Sequence, residues 1–579
     1  MGSGETVAEP PPKNPWDVSE IAYQRLLALF TSHQGDADKF RLPSRPTVSR
    51  YVASWARSFH PHLPVLHLPT NDFDSKSSIL LLTIAAVGSF YVFEHSNGYP
   101  MLFFSRSIIW EALQARYHKS SRHLLRSVPN FAKVSSRSND TPAESADDPP
   151  MSAEPCDMEL LQAMLILVMT MTWLDRPLAH EATALASQLA QLTREALAKA
   201  KSKPDLTSWH TWALEEERVR TIYSAYFTLN LVTISLNVVP LIPSSEIILP
   251  LPCSESEFKA PTADSWLAIK RPDTQPGQMT FDQCVKHLLR GHSLPPRSPP
   301  TEYGHYLLMQ SLLIQVYFER QSSSCLLSPS STIPPSTIAV YDAAMTAWQP
   351  RRDPAIDSAL DPSALNGPLA FNSTAMLRLA HVHLTADIQA HSSLAERDPA
   401  ILVRAFHRDK NTLDLHAPHL HQGLMHAINA LRIPIRVGVA FVASGRTGHW
   451  SVQHAISNFS CALLLTQWLD KVHELVVSSI SSGSSGSGGD GILAGLSPEQ
   501  RYLLSTVERL VEETHLEASL GARDDYPRRI RRVAGAALRL WAETCKGAQV
   551  YEIVHVAGAT LAMAADALEL EEREGPPIE

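Results

Sequence analysis

The chain has 579 residues and a formal charge of −9, and hydrophobic residues make up 44% of it. That composition is globular and excludes a wholly disordered chain, while the acidic balance argues against an autonomous DNA binder, which ordinarily shows a basic domain or stripe. The start has no signal-peptide character, and the longest uncharged apolar runs, Ile79–Phe93 and Leu160–Leu174, fall short of the ~20 residues of a membrane span, so a soluble intracellular chain is expected.

Residues 1–45 are polar and proline-rich at the start and read as a mostly disordered segment. From Pro46 to Arg57 the apolar positions Val48, Val52 and Trp55/Ala56 recur at helical spacing. Ser78–Phe93 is apolar nearly all round, as in a helix buried among others. Trp209–Asn237 places Trp212, Val219, Tyr223, Tyr226, Phe227 and Asn230 along one side of another helix. Ser497-Pro498-Glu499-Gln500 reads as a capping box that opens a helix to about Thr514. Asp524, Asp525 and Pro527 start the next helix, whose Ile530, Val533, Ala534, Ala537, Leu538 and Trp541 share a face, and a last helix runs from Tyr551 to Glu571. Alternating strands are absent, so the expected fold class is all-α, a large multi-helix array of antiparallel packed helices. Its body is 46–477, with polar inserts near 120–155 and 322–336. A Gly/Ser linker follows at 478–491, and C-terminal helices over 492–579 are expected to pack on the same body.

The candidate motifs mostly fail on spacing. The six cysteines are Cys156, Cys253, Cys284, Cys325, Cys461 and Cys545, and none has a neighbour two to four residues away, as a zinc finger requires. Gly486-Ser487-Gly488-Gly489-Asp490-Gly491 matches the dinucleotide-binding pattern by letter, but it lies in the linker rather than between a strand and a helix. Asn71-Asp72-Phe73-Asp74-Ser75 resembles the start of a terpene-cyclase magnesium site, yet Ile79 stands where that site needs a carboxylate. His60, His62 and His67 form one histidine cluster, and His416, His419, His421 and His426 another. Neither contains an i, i+4 pair, so capping and packing roles are expected. Arg528-Arg529-Ile530-Arg531-Arg532 has the composition of a nuclear-import or partner site, against which stands a plain exposed first helical turn balanced by Asp524 and Asp525. These patterns yield no catalytic, cofactor-binding or metal site.

A set of longer blocks is more specific. They are His60–Thr70 with Leu80–Gly88; Glu216-Glu217-Arg218-Val219-Arg220 leading to Pro240, Leu249–Cys253 and Trp266; Gly367–Asn372 with Leu377–Ala380; and Trp450–Ala455 with Cys461–Leu464 and Trp468. In that order they resemble the fungal-specific transcription factor regulatory domain, the middle homology region, over roughly Pro46 to Val472. The subgroup most similar is the one in which this region follows two-cysteine, two-histidine zinc fingers. Asn230 and Phe258 depart from its pattern, which has an aspartate and a tryptophan there, and only about 45 polar residues precede the region. The resemblance implies a nuclear transcriptional regulator of a metabolic or biosynthetic gene set. Its implied partners are a DNA-binding transcription factor or a second copy of itself, with promoter DNA reached only indirectly, a small-molecule effector, and no membrane. A chromatin or kinetochore-type scaffold and an uncharacterised helical enzyme are the competing readings.

Overall fold

Serine caps open several of the helices. The Ser19 hydroxyl accepts from the Ala22 amide, that of Ser77 from Leu80 and that of Ser497 from Gln500, each satisfying one of the unpaired donors of a first turn. In the computed structural model these caps begin three of twenty α-helices, and no strand occurs among the described residues. The structure describes 16–33, 40–127, 157–200, 208–269, 279–295, 299–324, 333–349, 367–386, 393–408, 413–444 (without 416 and 418), 451–481, 493–521 (without 494) and 526–574.

In chain order the first helices are α1 (Glu20–Ser32), α2 (Arg45–Ser58), α3 (Ser78–Phe90), α4 (His95–Ser127), α5 (Asp157–Met171), α6 (Arg176–Ala200) and α7 (Trp209–Leu236). The expectation of a mostly disordered 1–45 is corrected over α1. Ala22, Leu26 and Phe30 recur every four residues and are buried, so this segment has an apolar stripe to pack. The first of two units comprises 1–168, 191–222 and 258–269. Within it α3 is the central element, packed against α1, α2 and α4, and its residues from Leu80 to Phe90 are all buried. The α2–α3 contact is close enough that a Cβ on Gly88 would lie 1.9 Å from the Tyr51 carbonyl oxygen. Glycine is therefore required there by approach rather than by backbone angle. An ion pair of 2.6 Å joins Arg116 of α4 to Glu195 of α6.

The remaining helices are α8 (Glu255–Phe258), α9 (Ala263–Ile269), α10 (Phe281–Leu289), α11 (Glu302–Ser324), α12 (Pro335–Trp348), α13 (Gly367–Thr385) and α14 (Pro399–Arg408). They are followed by α15 (Leu420–Val437), α16 (Val439–Ala443), α17 (Val452–Ser481), α18 (Pro498–Glu512), α19 (Tyr526–Thr544) and α20 (Glu552–Glu574). The second unit comprises 169–190, 223–257 and 270–579. Its centre is α17, buried on nearly every side along its first five turns and packed against α13, α15, α19 and α20. Buried amides hold it in register: the Tyr306 hydroxyl donates to Gln453 Oε1 at 2.9 Å and accepts from Gln310 Nε2 at 2.9 Å. The C-terminal helices are part of this unit, with α18 on α15 and the α19–α20 pair on α17. Thus the division of the body differs from the continuous 46–477 expected from sequence.

The polar tracts are shorter than they read. Helix α17 runs to Ser481, so the first four residues of the expected 478–491 linker are helical, their serine hydroxyls bonding back to carbonyls three or four residues earlier. Likewise α4 extends to Ser127 and α11 to Ser324, into the two expected inserts. Ile333 to Ser336, at the end of the second insert, lead into and begin α12, while 128–155, 325–332 and 482–491, with the glycine motif at 486–491, lie outside the described residues. The last helix, α20, is long and apolar enough to cross a bilayer, but more than half of its apolar stretch is buried, and it packs on α14, α17 and α19.

Candidate functional site

Two constellations stand out, one in each unit. The first is built on the start of α7. There Glu217 is buried, and its carboxylate accepts the His67 backbone N–H at 2.6 Å and Lys76 Nζ at 3.4 Å. Burial pushes the Glu217 carboxyl up, opposed by Lys76 and the His67 amide. One turn on, Arg220 is fully buried, donates from Nε to Glu216 at 2.8 Å, and lies 3.7 Å above the Phe258 ring. Phe258 therefore fills the place where the resemblance has tryptophan and supplies a face for the cation. The His67 ring meets the edges of Trp209, Trp212 and Phe258 at 5.1–5.8 Å between centroids. Burial, with Arg220 beside it, holds that imidazole down at about 4, so it is neutral at pH 7. Trp266 packs on Trp212. Each charge here is answered within the cluster, which makes it a packing node and not a reaction site.

The second constellation is a groove of about 850 Å³ between α13 and α15. Two contacts orient these helices antiparallel. The His381 ring stacks on His426 with centroids 4.2 Å apart, and Gly423 approaches Thr385 so closely that a Cβ would sit 2.3 Å from its hydroxyl. From that end, α13 presents Arg378, Leu377, Thr374 and Ser373 to the groove, while α15 presents His426, Asn429, Arg432, Ile433 and Arg436 at helical spacing. Glu302 and His305 from the start of α11 and Trp348 from the end of α12 complete the lining. The Trp348 indole N–H donates to the His305 carbonyl at 3.0 Å, leaving its ring as apolar wall. Burial, with His381 and Arg378 nearby, holds His426 down at about 3, and burial lowers Arg378 as well. Among the described residues Arg378, Arg432 and Arg436 form no ion pair. Such a groove, of ligand size and with convergent polar groups, can hold a small molecule.

The residues weighed from sequence are distributed otherwise. His60 Nε2 lies 2.9 Å from the Leu66 carbonyl oxygen and 3.3 Å from its backbone nitrogen, closing a turn with one of the two. His421 is exposed, His419 stands at the N-cap position of α15 without a side-chain capping bond, and His416 lies outside the described residues, so the described histidines of the second cluster are not brought together. No group of three or more His, Cys, Asp or Glu that could hold a metal occurs among the described residues. Asp72 accepts the Asp74 amide at 3.1 Å and Asp74 accepts from Ser19, so the Asn71–Ser75 stretch is a turn tied to the start of α1. Cys284, Cys461 and Cys545 are buried thiols and Cys253 is half-buried, while Cys156 and Cys325 lie outside the described residues.

Neither sequence reading of the arginine run is complete. Arg529 is buried, donating to Glu512 at 2.6 Å, Glu508 at 3.3 Å and the Gly521 carbonyl at 3.3 Å. Arg532 pairs with Glu572 and Arg539 with Asp566 and Glu569 of α20. Arg529, Arg531 and Arg532 of the run form a seam that joins α19 to α18 and α20, while Arg528 is exposed. Asp524 and Asp525, expected to balance it, lie outside the described residues.

Comparison with known proteins agrees with the order of the sequence blocks. Residues 49–335 match the family model of the fungal specific transcription factor domain, and residues 387–563 match that of the fungal transcription factor C-terminal domain. The second match carries the likeness well beyond Val472, where the sequence blocks end. Zinc finger protein klf1 of Schizosaccharomyces pombe is 23% identical over 298 residues, which are 49% of this chain and 33% of that protein. The chain thus spans about a third of the length of the curated relative it matches. No solved structure matches it.

Proposed function

Because the chain belongs to the fungal specific transcription factor domain family, we propose that it is a nuclear regulator of transcription. It controls a limited metabolic or biosynthetic gene set, and it reaches promoters through a DNA-binding factor or a second copy of itself. The observation that carries this reading is the pair of family matches, 49–335 and 387–563, lying in order on an all-helical array. Two further features support it. Most of the described histidines, cysteines and carboxylates weighed as catalytic or metal groups lie in turns, helix ends and packed interiors, and the chain's net charge of −9 suits protein contact better than phosphate contact.

The test is transcript profiling of a deletion strain beside affinity purification from nuclear extract. A restricted set of altered transcripts, with a zinc-finger factor or a second copy of the chain in the purified fraction, is the expected result. An unchanged transcriptome with the protein confined to the cytosol overturns the reading.

A further inference from the structure

The groove between α13 and α15 is built against its own charge. Arg378, Arg432 and Arg436 line it, and among the described residues the single lining carboxylate is Glu302. His426, stacked on His381 and neutral at pH 7, adds no further positive charge. Arg378 and Arg432, half-buried and without an ion-pair partner among the described residues, carry a desolvation penalty that an anion in the groove offsets, while Arg436 is exposed at its open end. Helical rise fixes their spread. Arg378 lies level with Asn429, since His381 is level with His426, and Arg436 is seven residues further along α15, about 10 Å. That span exceeds a single inorganic ion, and Leu377, Ile433 and Trp348 provide apolar wall along it. Asn429 and Gln422 add neutral hydrogen-bond donors.

We propose that this groove binds a small organic dianion, one acidic group held near Arg378 and the other by Arg432 and Arg436, with its carbon body against Leu377, Ile433 and Trp348. The guanidinium fork suits a carboxylate and a phosphate ester equally, so the shared chemistry is two acidic groups on a short carbon frame. Binding follows from the groove alone. Its use as an effector signal rests on the transcriptional role proposed above.

The experiment is isothermal titration and thermal shift of the purified full chain at fixed ionic strength. One arm uses the dicarboxylates succinate and 2-oxoglutarate, and a second uses the phosphate ester 3-phosphoglycerate. Acetate, inorganic phosphate and an acidic peptide are the comparators. Saturable one-to-one binding of a dianion from either arm, at least about tenfold tighter than acetate and inorganic phosphate, is expected, and the responding arm tells carboxylate from phosphate. Arg432→Gln and Arg436→Gln sit on the more open side of the groove and are expected to fold normally by circular dichroism. Each weakens binding at least about tenfold, whereas Arg404→Gln, on the exposed face of α14, leaves it unchanged. No dianion binding at 10 mM (about 10 mM being far above a useful effector affinity), binding indifferent to both groove variants, or binding of the acidic peptide alone overturns the proposal. These readouts need no transcript measurement, so binding and the transcriptional role fail separately.

Discussion

Replacing glycine by alanine has opposite consequences at two helical positions of this chain. At Gly88 in α3, the added Cβ would lie 1.9 Å from the Tyr51 carbonyl oxygen and 2.6 Å from its carbonyl carbon. An ordinary carbon–oxygen contact needs about 3.3 Å, so α2 and α3 must part by more than ~1 Å. The obstacle is backbone and cannot rotate away. Tyr51, Val52 and Trp55 on one side and Ile84 and Val87 on the other are essentially unexposed, and a gap of 0.5–1 Å already removes about a quarter to a half of each contact's attraction. Against this stand about 1 kcal/mol of improved helix propensity and ~0.8 kcal/mol for a buried methyl. Overpacking of this kind typically costs about 1–3 kcal/mol and more where backbone must move, so Gly88→Ala is expected to lose about 2 kcal/mol net. Gly535 in α19 has nothing within 4 Å of the same added atom, so there the propensity term stands alone and Gly535→Ala gains about 0.5–1 kcal/mol. Urea unfolding followed by circular dichroism and tryptophan fluorescence reads both. A Gly88→Ala chain as stable as its parent would refute the packing argument, and a destabilised Gly535→Ala would refute the propensity argument.

Acid should weaken the fold through His67. His67 takes a proton at about 4 in the folded chain but near 6.5 when unfolded, so its contribution is complete above ~6.5 and lost as pH falls towards 4. About 2 kcal/mol disappears by pH 5, and His67→Gln should show a flatter dependence of urea midpoint on pH between 7 and 5; an equal slope would count against it. Arg529→Ala leaves Glu508 and Glu512 facing each other without their shared cation, side chains 13% and 26% exposed. A loss of about 3 kcal/mol is expected, and less than ~1 kcal/mol would show the clamp to be ornamental. Burial pushes the thiols of Cys284 and Cys545 up to about 11 and that of Cys461 up to about 12, so these three should resist a thiol reagent at pH 8 until denaturant is added. Peptide mapping that finds any of them labelled in the folded chain contradicts their placement.

Local chemistry made much of the fold readable. The Ser497–Gln500 capping box forms with both hydrogen bonds in place, because a cap needs only residues three apart. The α7 face was legible from aromatic spacing alone, as was the buried character of α3. By contrast, α1 was masked by the polar residues on either side of it, although Ser19 and the Ala22–Leu26–Phe30 stripe were available signs of a capped, packed helix. The groove was out of reach for a different reason. Arg378 reads as one charge among leucines, and its companions Arg432 and Arg436 lie more than fifty residues later on another helix. His426 was grouped with its sequence neighbours, whereas its actual partner is His381, and only tertiary packing makes that pair.

The seam between α19 and α20 limits how the sequence can change over generations. Arg539 is held by Asp566 and Glu569, and Arg532 by Glu572, so the outer edge of α19 is readable only together with α20. A single exchange of Arg539 for an acidic residue would set three like charges side by side, and drift towards neutrality in α20 would strand the arginines. In descendants of this chain the two helices should vary as a pair, with a sign reversal on one accompanied by its counterpart on the other, while the alanine and leucine positions between them stay small and apolar.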